Sequence, residues 1–228
     1  MIYSMLVIYV TKVYIVRHCE TEGNTLHIFQ GHSDLPITKM GEKQLKALSK
    51  RFQKIHLDAV FSSPLLRAKK TALAIIGNKN LSPITFDGLI ELNGGVYENK
   101  TFDEIYSQFP DFKDMWLNHP QDFAPEKGET MYTAYHRILE AVKEIAKNNK
   151  GKTVACVTHG GVLRCLLCKF LKGDIRKLRD IPFAKNTSVS LIEFDDDFNP
   201  TLIFGDNDDH LPEELKNKNA AIPVGDEK

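Results

Sequence analysis

The clearest chemical signal in this chain is a guanidinium beside an imidazole at the end of an apolar run. The segment VYIVRHCETEGN (13–24) leaves its β-branched stretch at Arg17 and His18. A second apolar run, TVACVT, ends at His159, and Arg67 follows the run DAVFSS within what we predict to be the first turn of a helix. Three predicted strands therefore end beside cations or imidazoles.

These residue types suit chemistry on phosphate. In open α/β sheets, ligands bind beyond the carboxyl ends of the strands, so parallel neighbouring strands would bring the four side chains together. Guanidiniums donate in pairs to phosphate oxygens, and a helix starting at Gly160-Gly161 offers free N–H groups and a positive dipole end. Nearby cations disfavour protonation of an imidazole, which keeps it nucleophilic. Attack by histidine on a phosphoryl group would then need no metal.

Each feature alone has an ordinary structural explanation. A histidine after a strand is more often a packed or capping residue than a nucleophile. An arginine such as Arg67 near a helix start is usually a surface side chain, and HGG (159–161) can be a tight turn. The joint occurrence of all of them at strand ends favours the chemical interpretation.

The elements that must position these residues alternate along the chain. We predict buried strands at 12–17, 57–63 and 152–159, and helices at 38–55, 64–77, 128–151 and 160–173. Thr38 is the predicted N-cap of the first helix, Pro64 the first residue of the second, and Gly77 its end. This alternation predicts an α/β three-layer sandwich with a mostly parallel central sheet flanked by helices.

The remaining segments are less regular. Residues 88–128, rich in Gly, Pro and aromatic side chains, are predicted to form a cap-like insertion. A strand at 186–197, interpreted as a sheet edge, would pair with 201–206 through a turn. We expect one domain over 1–204, a flexible tail at 205–228, and an added strand or extended start at 1–11.

Composition excludes several classes of function. The 228 residues include 30 basic and 30 acidic side chains, so no general attraction to nucleic acid or an anionic membrane is expected. The apolar N-terminus is interrupted by Lys12 and is too short to span a bilayer. The cysteine spacing fits no zinc site and favours reduced, buried thiols in a cytoplasmic protein; the four are Cys19, Cys156, Cys165 and Cys168.

Several ordered motifs resemble one family. RHCETEGN (17–24) resembles the RHG-containing signature of the histidine phosphatase superfamily, in the branch that includes phosphoglycerate mutase-like proteins. The resemblance covers about residues 12–204 and continues through FQGHSDLPITKMGEKQ (29–44), VFSSPLLRAKKTA (60–72), LIELNGGVYENKTFDEI (89–105), GETMYTAYHRI (128–138), VTHGGVLRCLL (157–167) and NTSVSLIEF (186–194). It implies a phosphoglycerate mutase-like fold.

The resemblance also implies a role for particular residues and requires no cofactor. His18 aligns with the histidine that becomes phosphorylated, and Glu91 aligns with the acid that protonates the leaving oxygen and later activates water. The implied phosphate pocket and substrate contacts are Arg17, Arg67, His159, Asn24, Gln30 and Gly31, to which the helix start adds Gly160.

Two positions depart from the family pattern. Cys19 stands where the family usually has glycine, and a β-carbon there could crowd the phosphate or shift His18. We favour a tolerated small side chain over impaired catalysis or a thiol whose oxidation blocks the pocket. Asn99 also replaces a glycine, and asparagine tolerates left-handed backbone.

The favoured function is a metal-independent phosphatase that hydrolyses small phosphomonoesters through a phosphohistidine. The GET motif (128–130) is also found in the α-ribazole phosphatase type. The alternatives are a phosphoglycerate mutase, against which the short segment between Glu91 and His159 argues, and a binder of phosphorylated ligands impaired by Cys19. The expected partner is a small phosphorylated metabolite, and the strand near 186–204 could mediate a homodimer.

Overall fold

A six-stranded sheet lies at the centre of the described part of the chain. The computed structural model describes residues 10–216. The strands are β1 Thr11–Arg17, β2 Ala59–Ser62, β3 Pro83–Thr85, β4 Thr153–Thr158, β5 Val189–Phe194 and β6 Pro200–Asn207. They are ordered β3-β2-β4-β1-β5-β6, with the first four parallel and the last two joined to them by antiparallel pairing.

Helices cover both faces of this sheet. They are α1 Glu22–Thr25, α2 Lys39–Gln53, α3 Leu66–Ile76, α4 Phe102–Gln108, α5 Phe112–Asn118, α6 Met131–Asn148 and α7 Gly160–Lys172. The hydroxyl oxygen of Thr38 accepts the N–H of Gly41, which confirms the predicted N-cap of α2. Gly77 ends α3, as predicted.

Strand β1 shows why the sheet needs helices on both faces. Val13 and Ile15 pack into one apolar cluster with α6 and α7, whereas Val16 packs into a second cluster with α2 and α3. Alternate side chains point to opposite faces of a strand, so a strand that is apolar throughout must be covered twice. The predicted three-layer α/β architecture is confirmed.

The strand registers bring the carboxyl ends of β1, β2 and β4 to the same level of the sheet. Arg17 pairs with Thr158 across β1 and β4, and Ser62 pairs with Val157 across β2 and β4. The residues that follow these three strands, including His18 and His159, therefore emerge along one edge of the sheet. This is the edge at which parallel α/β sheets bind ligands.

Two local predictions are wrong. Pro64 is not the first residue of α3, because residues 63–65 lie between β2 and the helix, which begins at Leu66 after its N-cap Leu65. Strand β5 is not a sheet edge, because β1 and β6 flank it, although its predicted pairing with β6 is confirmed. Among residues 10–216, the edges of the sheet are β3 and β6, so an edge-mediated homodimer, which stays a prediction, would use β6.

The prediction of a flexible tail from residue 205 is wrong for residues 205–216. Strand β6 continues to Asn207, whose carbonyl and side-chain oxygens accept from Arg51 of α2. Leu211 is buried, and the carbonyl of Leu215 accepts from the Gln44 amide. These contacts with α2 are long-range and have no local sequence signal. Residues 1–9 and 217–228 lie outside the described residues.

The predicted cap-like segment, 88–128, packs through its aromatic side chains. It contains α4, α5 and short 3₁₀ turns at Gly95–Tyr97 and Pro120–Asp122, and a further 3₁₀ turn, Asp87–Leu89, overlaps its start. Phe29 packs against Trp116 and Phe123, with ring centroids 5.5 and 5.8 Å apart. Aromatic burial of this kind holds irregular backbone that has no sheet ladder. Within residues 10–216, no helix is both long and apolar enough to cross a membrane.

Candidate active site

A cavity of about 370 Å³ opens at the carboxyl end of the parallel strands. It is lined by eight of the residues expected at the site: Arg17, His18, Asn24, Gln30, Gly31, Arg67, Glu91 and Gly160, the first residue of α7. His159 is fully buried beside His18, with their ring centroids 5.1 Å apart. The structure thus brings all the predicted site residues together.

His18 presents one ring nitrogen to the cavity. Its Nδ1 lies 2.7 Å from the carbonyl oxygen of Cys19. A carbonyl oxygen only accepts, so Nδ1 carries the hydrogen and Nε2 of the neutral ring has a lone pair. Nε2 makes no hydrogen bond within residues 10–216. The backbone is held as well, because the carbonyl of His18 accepts from Asn186 Nδ2 at 3.0 Å.

Both imidazoles are kept uncharged. Burial, and then the positive charges of Arg67 and Arg17, lower the pKa of His18 well below its ordinary 6.5. Burial and the charge of Arg67 likewise lower the pKa of His159. An uncharged His18 at neutral pH is competent as a nucleophile.

The two arginines are anchored by backbone carbonyls. Arg67 donates through Nη1 to Ser33 O at 2.6 Å and through Nη2 to Gly31 O at 2.8 Å. Arg17 donates through Nη1 to Ala184 O. Burial lowers the pKa of Arg17 to about 10, so the group stays charged at neutral pH. The buried Nε atoms of both arginines have no partner in the described part of the chain.

His159 is oriented by the end of strand β2. Its Nε2 lies 2.6 Å from Ser63 Oγ. Its Nδ1 is buried and has no partner among residues 10–216. When the Ser63 hydroxyl donates to Nε2, Nδ1 carries the ring hydrogen and is a donor.

The carboxylate of Glu91 lies at the N-terminus of α7. It accepts from the N–H of Gly161 at 2.9 Å and of Val162 at 3.0 Å. The expectation that these first N–H groups of α7 are free for phosphate is therefore wrong for Gly161, because a carboxylate is itself stabilised by a helix N-terminus. An added β-carbon on Gly161 would lie 2.8 Å from Glu91 Oε1, so the close approach requires glycine.

Asn24, Gln30 and Gly31 form the wall of the cavity. The side-chain oxygen of Asn24 accepts from the N–H of Thr21 at 3.1 Å, and Gln30 pairs with the Thr21 hydroxyl. The carbonyls of Gln30 and Gly31 accept from Arg67. Their contact with phosphate or substrate stays a prediction.

Cys19 is directed away from the cavity. The residue is fully buried, and its backbone N–H donates to the hydroxyl of Thr71 of α3 at 3.1 Å. Its φ is not positive, so no glycine conformation is required. Burial raises the pKa of the thiol to about 11. These contacts support the tolerated-side-chain interpretation, and Asn99 has a φ of 62°, the left-handed backbone that asparagine tolerates.

Sequence reasoning missed much of the cavity wall. One side is apolar and aromatic, from Phe29, Phe102, Trp116 and Phe183. The aromatic content of the 88–128 segment was the available signal for two of these residues. Lys216 lines the cavity too, and nothing in its polar surroundings indicated it.

No group of three or more His, Cys, Asp or Glu side chains in residues 10–216 is arranged to hold a metal ion. An uncharged imidazole with an available lone pair, between two guanidiniums and near a carboxylate, is the arrangement expected of an enzyme that transfers phosphoryl groups through histidine.

Comparison with protein families supports the same class of enzyme. The model of the histidine phosphatase superfamily (branch 1) matches residues 13–206, and the chain belongs to this superfamily. It is therefore a phosphoric monoester hydrolase of the histidine phosphatase type.

Three similar proteins illustrate the membership. Phosphoserine phosphatase 1 of Hydrogenobacter thermophilus is 31% identical over 191 residues, which is 84% of this chain and 90% of that protein. The probable phosphoglycerate mutase GpmB of Salmonella arizonae is 32% identical over 187 residues, 80% of this chain and 85% of that protein. The solved structure of Bacillus stearothermophilus YhfR aligns with a TM-score of 0.83 at 33% identity, covering 88% of this chain and 98% of that chain.

Proposed function

We propose that this enzyme hydrolyses small phosphomonoesters through a phosphohistidine at His18. In the first step Nε2 attacks phosphorus, the ester P–O bond breaks, and the protonated carboxyl of Glu91 gives its proton to the leaving oxygen. In the second step the Glu91 carboxylate takes a proton from water, which attacks phosphorus and releases His18 and inorganic phosphate.

One observation carries the proposal. Three buried nitrogens around His18 have no partner among the described residues: Arg17 Nε, Arg67 Nε and His159 Nδ1. A buried donor left without a partner costs about 1–3 kcal/mol. A phosphoryl group at Nε2 supplies the acceptor oxygens, and donors placed in advance stabilise the charge on its equatorial oxygens.

The aromatic wall supports a substrate class. Phe29, Phe102, Trp116 and Phe183 provide apolar surface for the body of the ester. The buried indole N–H of Trp116 has no partner within residues 10–216 and can donate to a polar atom of that body. We therefore propose phosphomonoesters with an apolar or aromatic leaving group, a class that includes α-ribazole phosphate.

The first experiment measures phosphate release by wild type and His18→Ala. The substrates are 4-nitrophenyl phosphate, 1-naphthyl phosphate, α-ribazole 5′-phosphate, phosphoserine and glycerol phosphate. We expect wild type to favour the aromatic esters and His18→Ala to lose at least about 10³-fold in kcat. Equally slow release by both proteins would instead favour a binder of phosphorylated ligands.

A second experiment separates hydrolysis from mutase activity. Wild type is incubated with 3-phosphoglycerate, and both inorganic phosphate and 2-phosphoglycerate are measured. We expect phosphate without 2-phosphoglycerate. Accumulation of 2-phosphoglycerate at a rate above phosphate release would support the mutase alternative.

We also propose that the protein acts in the cytoplasm. Its four cysteines are free and buried, which suits a reducing compartment. Cell fractionation followed by detection of the protein tests the location, and recovery outside the cytoplasmic fraction would contradict it.

A further inference from the structure

Arg137 of α6 reaches the loop that carries Glu91. Its Nη1 donates to the carbonyls of Gly88 at 3.0 Å and Ile90 at 2.8 Å, and its Nη2 lies 3.4 Å from the carbonyl of Glu91. The Nε and Nη2 atoms also donate to the carboxylate of Glu129, at 2.8 and 2.6 Å. The five N–H groups of this guanidinium are thus all used.

Other side chains complete the same contact. The carbonyl of Leu89 accepts from the hydroxyl of Thr158, at the end of β4, at 2.7 Å. The carbonyl of Glu91 also lies 2.9 Å from His32 Nε2. Four successive carbonyls, at residues 88–91, are therefore held by side chains from other parts of the chain. This backbone belongs to no strand, so these contacts replace a sheet ladder.

The held loop determines where the Glu91 carboxylate lies. A glutamate side chain has rotational freedom, and a proton donor must lie within hydrogen-bond reach of the leaving oxygen. The Glu91 backbone is fixed on one side, and on the other side the N–H groups of Gly161 and Val162 donate to its carboxylate, so few positions remain for that carboxylate. The Arg137–Glu129 pair is mostly buried, at 22% and 15% side-chain exposure, so its geometry is well constrained.

We infer that Arg137, held by Glu129, is a positioning residue for the proton donor Glu91, an inference that rests on the proposed function. Arg137 is not among the residues that line the cavity. Its removal leaves His18, Arg17 and Arg67 in place and misplaces the proton donor. The loss of activity then depends on how much the leaving group needs a proton.

The test compares leaving groups. Wild type, Arg137→Met, Arg137→Lys and Glu91→Gln are assayed for kcat/KM on 4-nitrophenyl phosphate and on butyl phosphate. A nitrophenolate is a good leaving group without protonation, whereas a butoxide must be protonated as it leaves. General acid catalysis contributes about 10²–10⁴-fold, so we expect Arg137→Met to lose at least about 10-fold more on butyl phosphate than on the aryl ester. Glu91→Gln should show the same larger loss of kcat/KM on butyl phosphate, and Arg137→Lys should show a smaller difference between the two esters.

Matched controls separate positioning from folding. Arg176, which pairs with Asp174 on an exposed surface, gives the control Arg176→Met, expected to equal wild type on both substrates. Glu129→Gln keeps the side-chain size and is expected to show a weaker selective loss, which keeps the test decisive if Arg137→Met does not fold. Thermal unfolding of each variant is measured in parallel.

Two outcomes would overturn the inference. If Arg137→Met and Glu129→Gln lose activity equally on both esters, the pair is structural and the proposed function survives. If wild type hydrolyses neither ester, the proposed function fails and the inference fails with it.

Discussion

At the scale of single residues, reactivity depends on which atom of His18 faces the cavity. The carbonyl of Cys19 takes the Nδ1 hydrogen, so the lone pair is on Nε2. The main-chain oxygen of residue 19 performs this function, and its side chain does not. The identity of the side chain at position 19 is therefore separate from the nucleophile beside it.

Replacement of Cys19 tests this separation. Because Cys19 is fully buried and does not line the cavity, Cys19→Gly should keep kcat/KM within about threefold of wild type. Loss of a buried side chain and the added freedom of glycine should lower the free energy of unfolding by about 1–2 kcal/mol. Enzyme assays and urea denaturation measure the two quantities.

Two results would contradict the separation of the Cys19 side chain from the site. An increase of about tenfold in kcat/KM for Cys19→Gly would show that the natural side chain crowds the site. The buried thiol, with its pKa raised to about 11, should also react slowly with iodoacetamide in the folded enzyme. Fast alkylation with loss of activity would support the alternative in which oxidation of the Cys19 thiol blocks the pocket.

At the scale of elements, the start of α7 and its end use glycine for different reasons. Gly161 lies against the Glu91 carboxylate, in ordinary helical backbone. Gly173 ends the helix with a φ of 75°, and a β-carbon there would meet no atom within 4 Å. The first glycine serves a close approach and the second a left-handed turn.

This difference predicts opposite effects of two alanine substitutions. Gly161→Ala should lower kcat/KM by at least about tenfold by displacing Glu91, while stability changes by less than about 1 kcal/mol because alanine favours the helix. Gly173→Ala should lower stability by about 1–2 kcal/mol through left-handed strain and keep wild-type activity. Assays and denaturation of both variants check the pattern, and an exchange of the two effects would contradict it.

At the scale of the whole molecule, the site is made by strand ends that are far apart in sequence. His18, Ser63 and His159 follow β1, β2 and β4, and two apolar clusters on opposite faces of the sheet hold these strands. Burial of both imidazoles beside cations follows from this assembly. Folding therefore carries an electrostatic penalty for protonating them.

Acid stability follows with a definite sign. The pKa values of His18 and His159 are lowered in the folded protein, so below 6.5 the unfolded chain binds more protons than the folded chain. The free energy of unfolding should therefore fall as pH drops below 6.5, by up to about 1.4 kcal/mol per pH unit for each histidine. Urea denaturation at about pH 7 and about pH 5 measures this dependence.

The matched variant is His18→Gln/His159→Gln. Its stability should fall less than that of wild type between the two pH values, because it lacks the two groups. Part of the dependence should remain, since burial also lowers the pKa of His210, to about 4. Equal pH dependence in wild type and variant would contradict the assignment.

The sequence by itself determined five of the six strands, the main helices and the residues expected at the site, whereas β3 at Pro83–Thr85 was not predicted. Apolar runs define β1, β2 and β4 by local pattern, and the residues that follow them are read directly, because strand ends in parallel sheets share one edge. The family resemblance added Glu91, which no local pattern distinguishes from a surface carboxylate. The main wrong predictions concern the edge of the sheet and residues 205–216, where contacts with neighbouring elements determine the structure.

Only the tertiary structure decided which atoms are available. The lone pair of His18 Nε2, the unpartnered nitrogens of the arginines and the hold of Arg137 on residues 88–91 all depend on long-range contacts. The position of Lys216 in the cavity wall also depends on the tertiary structure. Hydrogen bonds and burial are properties of atoms brought together by folding, and a sequence pattern specifies only the residues that can make them.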